Sequence, residues 1–466
     1  MDTSRRPIRL LSRRAFLNAS LLTGVGVTLA ACGATPAPAA TSAPVEAATN
    51  TPEAVATAAA TPAAVGGEKV VIKVFECCWD GQHIEAGRAL YEQWRQDHPD
   101  IDAQDFWPPG DWATDFLASW AAGDHWDVTF WCMSPWNFMD EGKCLDLNPL
   151  LEADTSFDQS DFYDYMRDIW LDDQGHRFGW PANYATTLTY WNTKMFAEAG
   201  VNPPDPDYTW DDMLEMAQKL TKDTGDPTTA KFGYLWQPRD TEESVQAFGG
   251  NFVDPDARRC DFTMAETVEG LQFLSDLMHK YKVSPTQAQV AAAQGEQAMF
   301  ISEQVGMVSL PEWGLTSFLP AHEEMGLEFD VLLMPKGPVK RTTRVRPSAA
   351  SIFSATKDPA AAWEVCKFIL SPEYEKRMMV EIPEAPPSRI SVNEYKVASL
   401  EYPANKAVYL ESAKYGIFPY YDKRHGQEIR DVINPILDLL FTGAETDMKV
   451  LAAKACQDID AVFAEL

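Results

Sequence analysis

The chain has 466 residues, enough for two or three domains and a large hydrophobic core. Hydrophobic residues make up 45% of it and charged residues 23%, which is typical of a globular protein. Its formal net charge of −30 argues against nucleic acids and anionic membrane surfaces as main partners.

Residues 1–32 have the pattern of an export signal. The basic start contains Arg5, Arg6, Arg9, Arg13 and Arg14. The apolar run that follows, residues 16–29, is short for a membrane span. Ser-Arg-Arg-Ala-Phe-Leu at 12–17 resembles a twin-arginine signal, and Leu-Ala-Ala-Cys at 29–32 resembles a bacterial lipobox. We therefore expect cleavage before Cys32 and lipid on its thiol. A single transmembrane anchor is the alternative.

Residues 33–67 consist mainly of Ala, Pro, Thr and Ser. They contain no aromatic residue, and their only charged residues are Glu46 and Glu53. Such a segment cannot bury enough apolar surface to fold, so we expect a disordered tether of about 30 Å. We expect the folded part to start near Glu68.

The first folded segment has the pattern of a strand, a helix and a second strand, over residues 69–75, 84–97 and 101–107. This βαβ order predicts a parallel sheet. Ligands of such sheets bind beyond the carboxyl ends of the strands. Trp79 and Asp80, in the loop after the first strand, are therefore candidate pocket residues. An ordinary turn with a buried Trp is the alternative.

A similar loop follows the strand predicted over residues 128–132, and it holds Trp136. Sugars stack the C–H faces of their rings on aromatic side chains, so a Trp near the end of a strand suits a sugar pocket. For most of the 15 tryptophans, a place in the core is the alternative.

The pattern of residues 175–200 predicts two strands joined by a segment of extended chain that crosses from one part of the protein to another. The first strand is expected to end at Pro181, which cannot donate to a sheet, and the second covers residues 188–191. Asn183 and Tyr184 lie between them. We expect both side chains to be exposed, as in a hinge between two lobes, and both to bind the ligand, with Tyr184 stacking on a sugar ring and Asn183 hydrogen-bonding to it.

These residues also resemble a known family. Gly-His-Arg-Phe-Gly-Trp-Pro at 175–181, Tyr-Trp-Asn-Thr-Lys-Met-Phe at 190–196 and Ala-Gly at 199–200 are similar to the crossing segment of extracellular solute-binding proteins of the carbohydrate type, such as maltose-binding protein. Residues 69–466 follow the family's order. The resemblance implies an α/β, two-lobed periplasmic-binding-protein-like fold with a ligand cleft between the lobes. It also implies a non-enzymatic receptor for an ATP-driven importer, without a cofactor or metal.

The resemblance further implies that the chain passes between the lobes more than once. We expect residues 68–181 and 347–388 to form lobe 1, and residues 182–346 and 389–466 to form lobe 2.

Lobe 2 contains three more candidate ligand residues. Trp236 ends a strand predicted over residues 232–236. The resemblance implies that the loop containing Trp313 faces the cleft, where this ring would stack on a sugar. The neighbouring Glu312 is expected to accept hydrogen bonds from sugar hydroxyls. Its alternative role is a solvated surface carboxylate.

Arg346 marks a departure from the family. Many relatives have a pair of small residues before the chain crosses back, whereas this chain has Arg-Val-Arg-Pro at 344–347. Arg346 offers a planar set of donors to a pair of hydroxyls or to an acidic sugar.

Seven cysteines follow Cys32. Outside the cell some are expected to pair, with Cys132 and Cys144 as the first choice. Cys366 and Cys456 lie on apolar faces of predicted helices, where we expect buried, unpaired thiols.

The sequence contains no motif typical of catalysis by a serine hydrolase, a zinc protease or a nucleotide-binding enzyme. We therefore predict a monomeric, lipid-anchored receptor on the outer face of the cytoplasmic membrane. It is expected to close on a sugar or oligosaccharide and then to dock on the permease of the importer. A peptide, a polyamine or a metal chelate as ligand is one alternative. A surface glycosidase, which needs only two suitably placed carboxylates, is another.

Overall fold

A computed structural model describes residues 69–77, 79, 81–108, 112–131, 136–172, 174–223, 229–254, 258–382, 384–418 and 426–465. All of them belong to the unit Val65–Leu466. The predicted export signal with Cys32, the predicted tether and Asp80 lie outside the described residues.

The described strands are, in chain order, β1 (Val70–Glu76), β2 (Ile101–Phe106), β3 (Val128–Trp131), β4 (Trp180–Asn192), β5 (Phe232–Leu235), β6 (Val253–Asp254), β7 (Arg259–Cys260), β8 (Val305–Pro311), β9 (Phe329–Leu332), β10 (Thr343–Ile352) and β11 (Gly416–Ile417).

The described α-helices are, in chain order, α1 (Gly81–Asp97), α2 (Trp112–Ala121), α3 (Trp136–Asp140), α4 (Asn148–Ala153), α5 (Asp164–Arg167), α6 (Thr193–Ala199), α7 (Trp210–Leu220), α8 (Thr241–Ala247), α9 (Ala265–His279), α10 (Gln287–Ala292), α11 (Glu296–Ile301), α12 (Leu315–Met325), α13 (Pro359–Ile369), α14 (Pro372–Lys376), α15 (Ile390–Ser399), α16 (Val408–Ser412), α17 (Gly426–Thr442) and α18 (Met448–Glu465).

The large sheet consists of two halves joined by two long strands. Its order is β2-β1-β3-β10-β4-β8-β5, with β11 on β10 and β9 on β4. In the first half β1 runs parallel to β2 and β3, as the βαβ pattern predicts. In the second half β5 runs parallel to β8. The fold is thus the expected mixed α/β architecture.

The two long strands pair with each other where the halves meet. Residues 180–186 of β4 lie antiparallel to residues 345–350 of β10, and we call this pairing the strand crossing. The predicted break at Pro181 is wrong, because β4 continues through it. A register shift in β10 lies opposite Pro181, and such an irregularity tolerates a residue that cannot donate to the ladder.

Each half has its own hydrophobic core. One buried cluster contains residues from Ile72 to Ala182 and from Ala349 to Met379. Two others contain residues from Leu188 to Met334 together with residues from Val397 onward. The boundary between these clusters falls within the strand crossing. The lobe boundaries given above stay a prediction.

The cysteines differ from expectation. Cys260 and Cys456 form a disulfide that joins β7 to α18, so the expected unpaired thiol at Cys456 is wrong. Cys366 is a buried free thiol, as expected. Cys144 is also buried and unbridged, which contradicts its proposed pairing with Cys132, a residue outside the described part.

Candidate functional site

The carboxyl ends of strands from both halves converge on the strand crossing. β3 ends at Trp131, opposite Ala349 of β10. β8 ends at Pro311, opposite Thr187 of β4, and β5 runs parallel to it. Since ligands of parallel sheets bind beyond such ends, the loops that follow these strands define the candidate site.

Arg346 lies at the centre of this region. It pairs in register with Ala185 of β4, and its Nη1 donates to Thr187 Oγ1 at 2.8 Å. Its Nη2 forms an ion pair with Asp240, which follows β5. The guanidinium lies over the ring of Trp313, which follows β8, at 5.7 Å from the centroid. The side chain of Arg346 therefore contacts β4, the loop after β5 and the loop after β8.

The groups beneath Arg346 are buried carboxyls. Asp240, Glu242 and Glu243 are all almost fully buried. Burial and the neighbouring charge of Asp240 raise the pKa of Glu243 well above its ordinary value. Burial acts to raise the pKa of Asp240 as well, but the charges of Arg346 and Arg239 outweigh it, and the net shift is downward. The charges around Asp240 therefore favour its ionised form as the partner of Arg346, whereas the surroundings of Glu243 favour its neutral form.

Trp313 is partly exposed and sits in a short helical turn, residues 312–314, between β8 and α12. Its carbonyl accepts a hydrogen bond from Thr316 Oγ1 at 2.6 Å. This indole combines partial exposure, a cation on one face and a position at the end of a strand. A ring with these properties can stack on a flat apolar face of a ligand.

Glu312 has neither of the roles considered from the sequence. It is fully buried and forms an ion pair with Lys396, which is also buried. Burial raises the pKa of Glu312, and the charge of Lys396 opposes that rise. The expected acceptor of sugar hydroxyls, and the alternative of a solvated carboxylate, are therefore both replaced by a structural ion pair.

In the first half, Trp79 is partly exposed after the end of β1. Its Nε1 donates to Glu76 Oε2 at 3.1 Å, and Tyr91 donates to the other oxygen, Oε1, at 2.6 Å. Burial raises the pKa of Glu76 to about 7, although these donors lower it. The ring of Trp79 packs on Phe130 at 5.0 Å. Trp79 is thus held in a fixed orientation just beyond the carboxyl end of β1.

The exposure expected for Asn183 and Tyr184 is wrong. Both are buried, because residues near Pro386 cover this part of β4. The backbone N–H of Tyr184 donates to Pro386 O at 3.1 Å. The hydroxyl of Tyr184 accepts from Asn393 Nδ2 at 2.7 Å. Through these contacts Tyr184 ties the strand crossing to the segment before α15 and to α15 itself.

Trp236 and Trp136 are also buried. Trp236 packs on Phe441 with ring centroids 5.0 Å apart, and its Nε1 donates to Ser244 Oγ at 3.3 Å. Trp136 lies 6.5 Å from the ring of Trp170. Since neither indole presents an open face in this structure, we leave both out of the site proposed below.

Sequence reasoning missed the neighbours of Arg346. Arg344 and Arg346 occupy alternate positions of β10, a spacing that places both on one face of a strand. Arg239 and Asp240 lie in the loop that follows β5, four and five residues after its last residue, Leu235. Two sequence patterns could have identified these neighbours. One is the alternation of arginines along a strand, and the other is the position of charged residues after the carboxyl end of a strand.

The rest of the described chain offers no competing metal or membrane site. Among the described residues, no group of three or more His, Cys, Asp or Glu side chains could hold a metal ion. No described helix combines the length and apolarity needed to cross a bilayer. A cavity of about 820 Å³ lies beside Phe232, at the amino end of β5 and away from the strand crossing.

The chain matches one family model and several related proteins of known function. The family model described as bacterial extracellular solute-binding protein matches residues 80–376. An sn-glycerol-3-phosphate-binding periplasmic protein of Shigella dysenteriae is 31% identical over 139 residues, which are 28% of this chain and 31% of that protein. A maltotriose-binding protein of Pyrococcus abyssi is 24% identical over 217 residues, or 45% of this chain and 44% of that one. The alignments thus span less than half the length of these relatives.

Solved structures share the fold over most of this chain. An ABC substrate-binding protein from Listeria monocytogenes, in complex with cycloalternan, superposes with a TM-score of 0.73 at 20% identity, covering 85% of this chain and 100% of that one. A cyclic alpha-maltosyl-1,6-maltose binding protein from Arthrobacter globiformis gives a TM-score of 0.69 at 21% identity, covering 86% and 100%. At these identities the likeness establishes the fold.

Proposed function

Because this chain belongs to the bacterial extracellular solute-binding proteins, we propose that it is the substrate-binding component of an ATP-driven importer and that it binds a sugar or oligosaccharide. The names of its relatives support this ligand class, since one binds maltotriose and a structural neighbour holds cycloalternan. Another relative binds sn-glycerol 3-phosphate, so charged polyols belong to the range to be tested.

The observation that carries the proposal is the position of Trp313 and Arg346. A partly exposed indole and a guanidinium lie against each other at 5.7 Å, where strand ends of the second half meet the strand crossing. This arrangement offers an apolar face for a sugar ring and N–H donors for its hydroxyls. Trp79, at the end of β1, is the proposed contribution from the first half.

We propose that the ligand acts by closing two lobes, with the strand crossing as the hinge. A ligand that touches both lobes binds the closed form more tightly than the open form and so raises its population. The closed form then docks on the transmembrane permease. The separate cores on either side of the strand crossing support this mechanism, because each lobe can move as a packed body.

The export and anchoring steps are part of the proposal. Twin-arginine export would carry the folded protein across the membrane, and lipid on Cys32 would hold it at the outer face. The acidic Ala/Pro/Thr segment would then serve as a tether for a monomeric receptor. Labelling of cells with a radioactive fatty acid tests this step. The label is expected on the wild type and not on Cys32→Ala.

Titration of the purified protein with a panel of sugars, followed by Trp fluorescence, tests the ligand class. We expect a saturable change with at least one saccharide and a weaker response in Trp313→Ala. Chromogenic glycosides serve as a second arm, in which we expect no turnover. A response only to peptides, polyamines or metal chelates would contradict the sugar role. Turnover that one carboxylate substitution abolishes would favour a glycosidase.

A further inference from the structure

Three arginines lie together next to the strand crossing, and we call Arg239, Arg344 and Arg346 the arginine cluster. Nη1 of Arg344 donates to the backbone carbonyl of Arg239 at 2.5 Å. Arg346 carries the contacts to Thr187 and Asp240 described above. The cluster therefore joins β10 to the loop after β5.

The cluster is layered, with cations outside and carboxyls inside. The side chain of Arg346 is 17% exposed and that of Arg239 is 35% exposed, whereas Asp240 is 0% exposed. Glu242 and Glu243, in the first turn of α8, are also buried. A ligand that approaches from solvent therefore meets guanidinium groups before it meets any of these three carboxyls.

Carboxyl groups next to the cluster offset part of its charge. Asp240 is bound to Arg346, and Glu296 lies 2.8 Å from Arg239. Burial and the neighbouring charge of Asp240 raise the pKa of Glu243 well above its ordinary value, which favours the neutral form of this carboxyl. Three adjacent arginines stand out in a chain of net charge −30.

Arginine offers a geometry suited to one class of group. Its planar guanidinium has five N–H donors and matches the oxygens of a carboxylate or a phosphate in pairs. Trp313 covers one face of Arg346, and in the plane of the guanidinium Nη1 and Nη2 already donate to Thr187 and Asp240. An anionic ligand group would bind at this same edge, beside these two acceptors.

We propose that the arginine cluster is an anion subsite, and that the natural ligand is a sugar or polyol bearing a carboxylate or phosphate group. This inference rests on the proposed function, because it specifies the ligand of the same site. It narrows the sugars and polyols of the proposed function to those that carry an anionic group.

The test uses matched pairs of ligands that differ only in the anionic group. D-glucuronate is compared with D-glucose, and glycerol 3-phosphate with glycerol, by titration calorimetry on the full-length protein. We expect the charged member of at least one pair to bind roughly tenfold to a hundredfold more tightly, the range for charge-assisted hydrogen bonds. The first pair reports a preference for a carboxylate, and the second a preference for a phosphate. We also expect the preference to weaken in 0.5 M NaCl, because salt screens the attraction.

Two variants locate the effect. Arg344→Gln removes one guanidinium. Arg346→Gln is made together with Asp240→Asn, so that no buried carboxylate loses its partner. Both variants are expected to lose the preference for the charged ligand and to keep at most weak binding of its neutral partner. Arg377→Gln is the matched control, since this exposed arginine pairs with Glu381 on a separate helical turn.

The outcomes separate the two proposals. If only neutral saccharides bind, or if charged and neutral partners bind equally, the anion subsite is wrong while the sugar-binding function stands. An unchanged preference in both variants, with all proteins folded by circular dichroism, also overturns the subsite. Binding of no saccharide or polyol overturns the proposed function and this inference with it.

Discussion

The carboxylate of Glu312 and the ammonium of Lys396 form an ion pair inside the protein. Oε1 lies 2.9 Å from Nζ, and the two side chains are 0% and 1% exposed. Lys396 Nζ also donates to the backbone carbonyls of Glu384 and Ala385, at 2.8 and 3.1 Å. Because Glu312 directly precedes Trp313, this pair joins the proposed stacking ring to the segment that covers the strand crossing.

Removing one member of this pair is expected to destabilise the protein strongly. Lys396→Met leaves the carboxylate of Glu312 buried without its cation, which costs about 3–5 kcal/mol in free energy of unfolding. The double variant Glu312→Gln/Lys396→Met buries no unpaired charge, so we expect it to regain much of the loss. Guanidinium chloride unfolding followed by Trp fluorescence measures both effects.

The matched control is Lys454→Met. Lys454 pairs with Asp458 one helical turn away, and both side chains are largely solvated, so we expect a change below about 0.5 kcal/mol. If Lys396→Met were as mild as this control, the buried pair would have no structural importance.

A second prediction concerns Glu76 and pH. Its pKa of about 7 in the folded protein lies above the ordinary value of 4.5, so the folded state binds the proton more tightly than the unfolded state. The resulting stabilisation is complete below about pH 4.5 and is lost as the pH rises through about 7. Glu76→Gln cannot titrate and should escape this loss.

As the pH rises from 5 to 8, we therefore expect the free energy of unfolding of Glu76→Gln to increase by roughly 3 kcal/mol relative to that of the wild type. Urea unfolding at four pH values in this range measures the difference. Glu394→Gln, a change at an exposed position, should show no such trend. A constant difference between Glu76→Gln and the wild type would mean that Glu76 does not titrate in this window.

Local chemistry accounts for the parts of the fold that the sequence predicts well. Asn192 accepts a hydrogen bond from the N–H of Met195 at the start of α6, a cap that a polar residue directly before a helix commonly forms. Gly200 ends that helix with a φ of 66°. The capping box of Thr209 and Asp212 is also present. Each of these features depends on residues within a few positions of each other.

Long-range contacts account for the parts that the sequence does not predict. Arg346 and Asp240 are 106 positions apart, and no local pattern joins them. The burial of Tyr184 depends on Asn393, which is 209 positions away. The disulfide links cysteines separated by 196 positions, and apolar spacing on a helix favoured an unpaired thiol instead. The sequence indicates which residues follow strands, but not which aromatic rings stay exposed.

A third prediction follows from that disulfide. It anchors the C-terminal helix α18 to β7, where Cys260 N also donates to Asp460 Oδ1 at 3.1 Å. We expect Cys260→Ala/Cys456→Ala to lose about 2–5 kcal/mol, since a cross-link over a long loop restricts the unfolded chain. Thermal unfolding measures the loss. Dithiothreitol should lower the melting temperature of the wild type and leave that of the double variant unchanged. Equal sensitivity of both proteins would contradict the bond.

The last prediction compares two tryptophans that the sequence placed in one site. Trp236 is fully buried against Phe441, so Trp236→Ala opens a cavity and should cost about 3–5 kcal/mol of stability. Trp313 is partly exposed over Arg346, so Trp313→Ala should cost little stability but weaken ligand binding roughly tenfold or more. Thermal unfolding and calorimetry with the tightest ligand of the panel separate the two effects. If Trp313→Ala unfolded the protein while Trp236→Ala only weakened binding, the ligand would lie inside the second core, and the site proposed at the strand crossing would be wrong.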